Sequence, residues 1–349
     1  MTENSILCRF IRDNADWEDK LAKPPYCIKL KKDKDLCLFK YDAYASDFHS
    51  PEVQEARGII INMKTCDVVC WPFRKFANYT EDYADTIDWQ SARVTEKIDG
   101  SIMKLWFDHR TGKWQISTDN VIDASKALLR NYHNGSGAMI SFKTLFDTAS
   151  QGKLDYDRLD PNKTYIFELV SPINTVVIQY KNHDIWHIGT RNNKTGQESI
   201  EDIGIKQPRT YALSDLKNCI DLIKSIQTSK DMPDRTDFEG LVVNDKNFNR
   251  IKIKNRDYIL LHAHATGSLN KKDIMCGLLN GDAEELISLY PSSRHKIDTL
   301  LAQLNNFRNE LQQIYDIAVA CYESTGRDRK KFAENGRVNL RMDFRLLTV

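Results

Sequence analysis

Residues 96–101 read Glu96-Lys97-Ile98-Asp99-Gly100-Ser101, between the apolar-rich runs RVT and SIMKLWF. Asp-Gly between two such runs is a strong hairpin-turn signal. A lysine at the end of a short strand can also be held there because its amine is a nucleophile. The six residues leave both readings open, and the surrounding chain has to separate them.

Outward from this stretch, residues 57–254 consist of short apolar runs broken by turn residues. GIIIN and DVVCW flank a turn at Met63-Lys64-Thr65, and SIMKLWF and KWQIST flank a turn over 108–112. TYIFELV, NTVVIQY, DIWHIGT, GLVVN and RIKIK follow, most of them β-branched or aromatic over four to seven positions, which predicts strands. Helices are expected around 124–131 and over SDLKNCIDLIKSI, with Ser214 as the N-cap. After about residue 257 the pattern changes. Ile297, Leu300, Leu301, Leu304, Phe307, Leu311, Ile314, Ala318 and Cys321 recur at steps of three and four, one face of a long helix. The expected fold is α+β with antiparallel sheets over 1–257, followed by a smaller all-helical domain over 258–349.

The bulk numbers set limits. The chain has 349 residues, 41% of them hydrophobic and 10% aromatic, enough for one large or two ordinary globular domains. A formal charge of +1 gives no whole-chain field, so a nucleic-acid partner would need a local basic surface. No apolar run approaches the roughly 18 residues of a membrane span, and the start MTENSILCRF lacks the pattern of a secretory signal. The eight cysteines are scattered, which fits a reducing cytoplasm. Cys66 and Cys70 have neither a second pair nor a nearby histidine, so zinc is not expected.

Six charged residues fall on strands where a solvated face does not account for them as a set. Glu168 lies inside TYIFELV, Glu239 precedes GLVV, and Lys252 and Lys254 alternate with Ile251 and Ile253 on one face. Arg57 and Lys75 bracket the first hairpin. Such a groove suits a polyphosphate, with cations on the phosphates and carboxylates on a divalent metal or a ribose hydroxyl. Lys97 then has a setting, because neighbouring cations and desolvation favour the neutral amine that attack on phosphorus requires. Gly100 would let the backbone approach a nucleotide, and Ser101 could donate to it.

The ordered set KIDGS (97–101), FELVSP (167–172), WHIGTRN (186–192), EGLVV (239–243) and KIK (252–254) resembles nucleotidyltransferase motifs I, III, IIIa, IV and V of covalent ligases and capping enzymes. Within that superfamily the chain is most similar to the bacteriophage-type ATP-dependent RNA ligase 1 family of tRNA-repair enzymes. Ala56-Arg57-Gly58, Lys75-Phe76-Ala77-Asn78, the stretch 171–180 and the helical tail also fit it. The resemblance implies an adenylyltransferase domain over 1–257 and a helical RNA-specificity domain over 258–349. It implies that Lys97 attacks the α-phosphate of ATP, that AMP passes to an RNA 5′-phosphate, and that a 3′-hydroxyl displaces it to seal the strand. Glu239, Lys252 and Lys254 would act with Lys97 in catalysis, Glu239 at a Mg2+ or Mn2+ ion and the lysines at the α-phosphate and leaving group. Glu168 would hold the ribose, with a share in the metal possible by its chemistry. Arg57 and Lys75 would bind the outer phosphates. Glu96, Asp99, Gly100 and Ser101 would lie at the nucleotide, with Ile188 and Val242 as candidates to flank adenine or as ordinary core. The implied partners are RNA, in particular tRNA with a broken anticodon loop, and an end-healing kinase–phosphatase, in the host cytoplasm if the enzyme is viral.

Three other readings compete. A DNA ligase or a capping guanylyltransferase would follow motif V with an OB-fold, whereas helices are expected here. A silent RNA-binding module would not need the whole charged set. A scaffold has only the tail in its favour, whose basic stretch 327–345 is an RNA contact or a solvated helix face.

Overall fold

The structure, a computed structural model, describes residues 2, 4–131, 137–176, 178–228, 238–255, 274–275, 278–279, 283–289 and 293–332. Two helices open the chain, α1 (Ile6–Asp13) and α2 (Trp17–Ala22), and α3 (Pro51–Glu55) precedes the third strand. Strands β1 (Ile28–Asp33), β2 (Leu36–Tyr41), β3 (Arg57–Asn62) and β4 (Asp67–Cys70) form an antiparallel sheet in sequence order. It buries Phe39, Ile59, Ile61 and Trp71 against the helices.

The remaining strands of this unit are β5 (Ala77–Asn78), β6 (Arg93–Glu96), β7 (Ser101–Asp108), β8 (Lys113–Thr118), β9 (Leu128–Asn131), β10 (Ala138–Ser141), β11 (Lys163–Val170), β12 (Asp184–Asn192), β13 (Glu198–Ser199), β14 (Thr210–Tyr211), β15 (Gly240–Asn244) and β16 (Arg250–Lys254). They build two five-stranded sheets, ordered β13-β12-β11-β7-β8 and β14-β6-β15-β16-β5, and a two-stranded sheet of β9 and β10. All pairings are antiparallel except β16 with β5. The first five-stranded sheet buries Leu105, Tyr165, Phe167 and Leu169 against α4 (Phe142–Ser150). The second buries Val94, Leu241, Val243 and Ile253 against α5 (Leu216–Thr228). Alternation leaves the other faces of these strands free to carry charge.

Three local expectations are corrected. Residues 124–131 form a short 3-10 turn and then β9, because Leu129 pairs across to Ile140 and both pack on the first core. The described residues of 174–180 form no strand; Ser171 Oγ accepts from the N–H groups of Ile173 and Asn174, which turns the chain instead. Helix α5 is capped by Asp215 rather than Ser214, since Asp215 Oδ1 accepts from Asn218 N–H at 2.7 Å.

The chain divides into two compact units, 1–268 and 269–349. The boundary expected at 257/258 lies outside the described residues. In the second unit the described elements are helical, chiefly α6 (Ala283–Leu289) and α7 (Arg294–Ser324). On α7, Ile297, Leu300 and Leu304 are buried, but Phe307, Leu311 and Ile314 of the same stripe are exposed. Among the described residues no helix is long and apolar enough to cross a membrane.

Candidate active site

The stretch 96–101 is a crossing between sheets and not a hairpin. Strand β6 ends at Glu96 in one five-stranded sheet, and β7 begins at Ser101 in the other. Lys97 stays attached to the first sheet, its N–H donating to the Gly240 carbonyl at 2.8 Å. Asp99 is buried and its Oδ2 accepts from Ile178 N–H at 2.7 Å. At Gly100 a Cβ would lie 2.4 Å from the Leu169 carbonyl oxygen, so only glycine lets the crossing pack against β11. Ser101 Oγ accepts from Asn174 Nδ2 at 2.9 Å. Ile98 is buried beside these contacts.

The crossing delivers Lys97 to a cleft lined by residues of all three large sheets. Arg57, Lys75, Glu96, Lys97, Glu168, Ile188, Val242, Lys252 and Lys254 line it together. Asp99, Gly100 and Ser101 stand behind the lining, occupied by the packing contacts above. Glu239 also lies just below the surface, 3% exposed, yet it engages Lys97 directly. Lys97 Nζ is 2.6 Å from Glu239 Oε1 and 2.7 Å from Oε2, and Lys254 Nζ is 3.7 Å from Oε1. Backbone pairing holds this carboxylate, since Asn255 N–H donates to the Glu239 carbonyl at 2.8 Å.

Register orders the floor of the cleft into rows. Gly240 faces Lys254, Val242 faces both Lys252 and Thr95, and Asn244 faces both Arg250 and Arg93. Glu168 rises from β11 opposite Ile102, with Phe167 and Leu169 turned the other way into the core. Burial pushes its carboxyl up to about 8, and neighbouring Glu239 acts in the same direction, against the opposing pull of Lys97. On β12 the register shifts between Ile166 and Phe167, whose partners are Gly189 and His187, so Ile188 is the extra residue of a bulge. A bulge re-aims a side chain, and here Ile188 reaches the lining. His187 points away from it, buried, with Nε2 2.9 Å from Thr190 Oγ1. Burial pushes the imidazole down to about 4, which keeps it neutral near pH 7.

The cleft also contains residues that the sequence reading passed over. Tyr41, Phe73, Arg93, Thr95, Asn244 and Arg250 all line it. Arg250 continues the alternation of Lys252 and Lys254 on RIKIK, so the period-two pattern marks it. Its Nη2 is 2.7 Å from Glu198 Oε2, both side chains being 8% exposed, and its guanidinium carbon is 4.1 Å from the Phe73 ring centroid. This ion pair ties β16 in one five-stranded sheet to β13 in the other. Tyr41 and Phe73 lie outside the quoted motifs and reach the cleft only through tertiary packing.

Comparison with known proteins identifies the family. A family model described as RNA ligase, of the phage RNA ligase 1 type, matches residues 55–258, which include every lining residue except Tyr41. The chain therefore belongs to this RNA ligase family. An RNA ligase of Rhodothermus phage RM378 is 24% identical, over 88% of this chain and 83% of its own length. A protein of Autographa californica nuclear polyhedrosis virus, provisionally described as a bifunctional polynucleotide kinase/RNA ligase, is 27% identical over 81% of this chain; the chain spans 41% of its length. Among solved structures, an archaeal ATP-dependent RNA ligase aligns with a TM-score of 0.47 and 12% identity, covering 90% of this chain and 83% of its own.

Proposed function

We propose that the chain is an ATP-dependent RNA ligase that works through a covalent lysyl-AMP on Lys97. The observation that carries this reading is the Lys97–Glu239 pair at the base of a cleft lined by Arg57, Lys75, Lys252 and Lys254. In the first step the Lys97 amine forms a P–N bond at the α-phosphate of ATP, the bond to the bridging oxygen breaks, and pyrophosphate leaves. Glu239 is the acceptor closest to the amine proton. Lys252 and Lys254 offset charge at the α-phosphate and the leaving group, and Arg57 and Lys75 hold the outer phosphates. AMP then passes to an RNA 5′-phosphate, and attack by a 3′-hydroxyl seals the strand and releases AMP.

Glu168, kept protonated near pH 7 by burial, is suited to a hydrogen bond with a ribose hydroxyl. Ile188 and Val242 offer apolar surface to the base, and Glu96 lies beside them in the lining. Among the described residues no group of three or more histidine, cysteine or acidic side chains gathers to hold a metal alone. Mg2+ commonly takes one or two carboxylates and completes its shell with substrate phosphates and water, and Glu239 fits that use. A bound Mg2+ or Mn2+ would neutralise charge on the phosphates.

The second unit is read as the RNA-selecting part, acting on tRNA with a broken anticodon loop. Arg327, Arg329, Lys330 and Lys331 are exposed beyond α7 and could meet RNA phosphates; Arg337 lies outside the described residues. The description of the baculovirus relative supports an end-healing kinase as functional partner. Incubation with α-labelled ATP and magnesium, followed by denaturing electrophoresis, tests the central claim. Label should stay on the wild-type protein and be absent from Lys97→Ala; labelled Lys97→Ala would refute it.

A further inference from the structure

Beside the cleft, three cations surround one carboxylate that no motif includes. Asp119, just beyond β8, has Oδ2 3.6 Å from Lys40 Nζ and 3.6 Å from Arg57 Nε, and Oδ1 3.6 Å from Lys104 Nζ. None of these pairs is at hydrogen-bond distance. Lys104 is wholly buried and donates instead to the Gly58 carbonyl at 2.7 Å. Gly58 has φ +78°, and a Cβ there would lie 2.5 Å from Lys104 Nζ and 2.8 Å from Asp119 Cα. The glycine after Arg57 is therefore required by this cluster.

The cluster carries surplus positive charge toward the cleft. Lys40 Nζ lies 4.2 Å from the Tyr41 ring centroid and Lys75 Nζ 6.0 Å from it, and Tyr41, Arg57 and Lys75 line the cleft. Burial would raise the Tyr41 phenol, but Lys40, Lys75 and Arg57 outweigh it and hold the group below its ordinary value. Burial lowers the Lys104 ammonium, which already donates to Gly58, but Lys40 and Arg57 alone outnumber the one anion they loosely share, and such a pair still favours more negative charge. The side chain of Lys40 is 18% exposed and stands next to the lining residues Tyr41 and Arg57 without itself being part of the lining.

We propose that Lys40 is a third cation of the subsite for the two outer phosphates of ATP, beside Arg57 and Lys75, and that Asp119 is the residue that positions Lys40 and Arg57 for it. The inference rests on the ATP-dependent reading of the cleft. A triphosphate draws Lys40 from its loose pairing with Asp119, while Asp119 keeps Arg57 and Lys104 in place. The outer phosphates leave as pyrophosphate, so neither residue takes part in sealing an RNA that is already adenylated.

Full-length Lys40→Met, which keeps the side-chain stem over Tyr41, should raise KM for ATP in enzyme labelling roughly tenfold with little change in kcat. Its sealing of a pre-adenylated RNA should equal wild type. Lys40→Arg should restore the KM, and Asp119→Asn should raise the KM further in the Lys40→Met background, because Arg57 also loses its partner. In the wild-type protein, tripolyphosphate should protect Lys40 from acylation by an N-hydroxysuccinimide ester, read by peptide mass spectrometry, even if a variant fails to fold. An unchanged KM for ATP, equal losses on ATP and pre-adenylated RNA, or an unprotected Lys40 would each overturn the proposal. Absence of labelling in the wild type would instead overturn the ATP reading on which it rests.

Discussion

The cleft of the first unit and helix α7 of the second depart from ordinary burial in opposite directions. In the cleft, Glu239, Arg250 and Glu198 are charged side chains almost removed from water. On α7, Phe307, Leu311, Ile314 and Ile317 are apolar side chains left exposed. Buried charge is costly unless it is paired, so it is kept where strands from several sheets hold its partners in place. Exposed apolar residues on one helix need no such framework. The first arrangement supports chemistry, which depends on preorganised charge; the second supports contact.

Breaking the comparison on the cleft side should give the largest effects. Lys97→Ala should lose lysyl-AMP formation entirely. Glu239→Ala should slow labelling by about 100- to 1000-fold, as expected when one preorganised charge is removed, and chelation of divalent ions should also stop it. Single-turnover labelling measures the effects of both substitutions, and labelling in excess chelator measures the metal requirement. A rate for Glu239→Ala within about threefold of wild type would show that the pair with Lys97 is only structural.

A stability measurement sharpens the same point. Glu198→Ala strands the Arg250 guanidinium in the interior and should cost about 3–5 kcal/mol in chemical denaturation. Glu198→Met with Arg250→Met should recover most of that loss, because paired replacement removes the desolvated charge with its partner.

Glu168 gives a smaller effect with a defined sign. Its folded carboxyl titrates at about 8 against an ordinary value of 4.5. Below the lower value both folded and unfolded forms are protonated, so folding carries no penalty. Between the two values the unfolded form ionises first and is favoured, and above the higher value the penalty is complete. Glu168→Gln should therefore match wild type near pH 4.5 and become more stable than it by on the order of 3 kcal/mol by pH 8. Melting curves across that range decide it; a gap that shrinks as pH rises would contradict the assignment.

The smallest effects are expected on the helical side. Charge reversal at Lys330 and Lys331 should leave ATP labelling intact. Sealing of a nicked tRNA stem-loop should weaken by about threefold to tenfold relative to a plain single strand, and the gap should narrow at high salt. A chain ending at residue 268 should still form lysyl-AMP but lose that preference.

Lys97, Glu168, Glu239, Lys252 and Lys254 could be read from the chain because each is a charge set in an apolar, strand-forming stretch. Local sequence determines alternation, so it also determines which charges share a face with which neighbours, and the helical stripe of α7 is legible for the same reason. Arg250 carried the same signal one step further along its strand. Lys104 and Lys40 carried it too, as charges within the apolar strands of β7 and β2, but Asp119 carried none, and the convergence of the three depends on how β2, β3, β7 and β8 come together. The nature of the Asp-Gly step was likewise undecided by its own residues: a hairpin and a crossing need the same local turn, and only the assignment of β6 and β7 to different sheets distinguishes them. Burial depth is also a tertiary property. The carboxyl of Glu168 is raised, and the imidazole of His187 lowered, by the packing of distant strands that exclude water, and no pattern along the chain reports how much water remains.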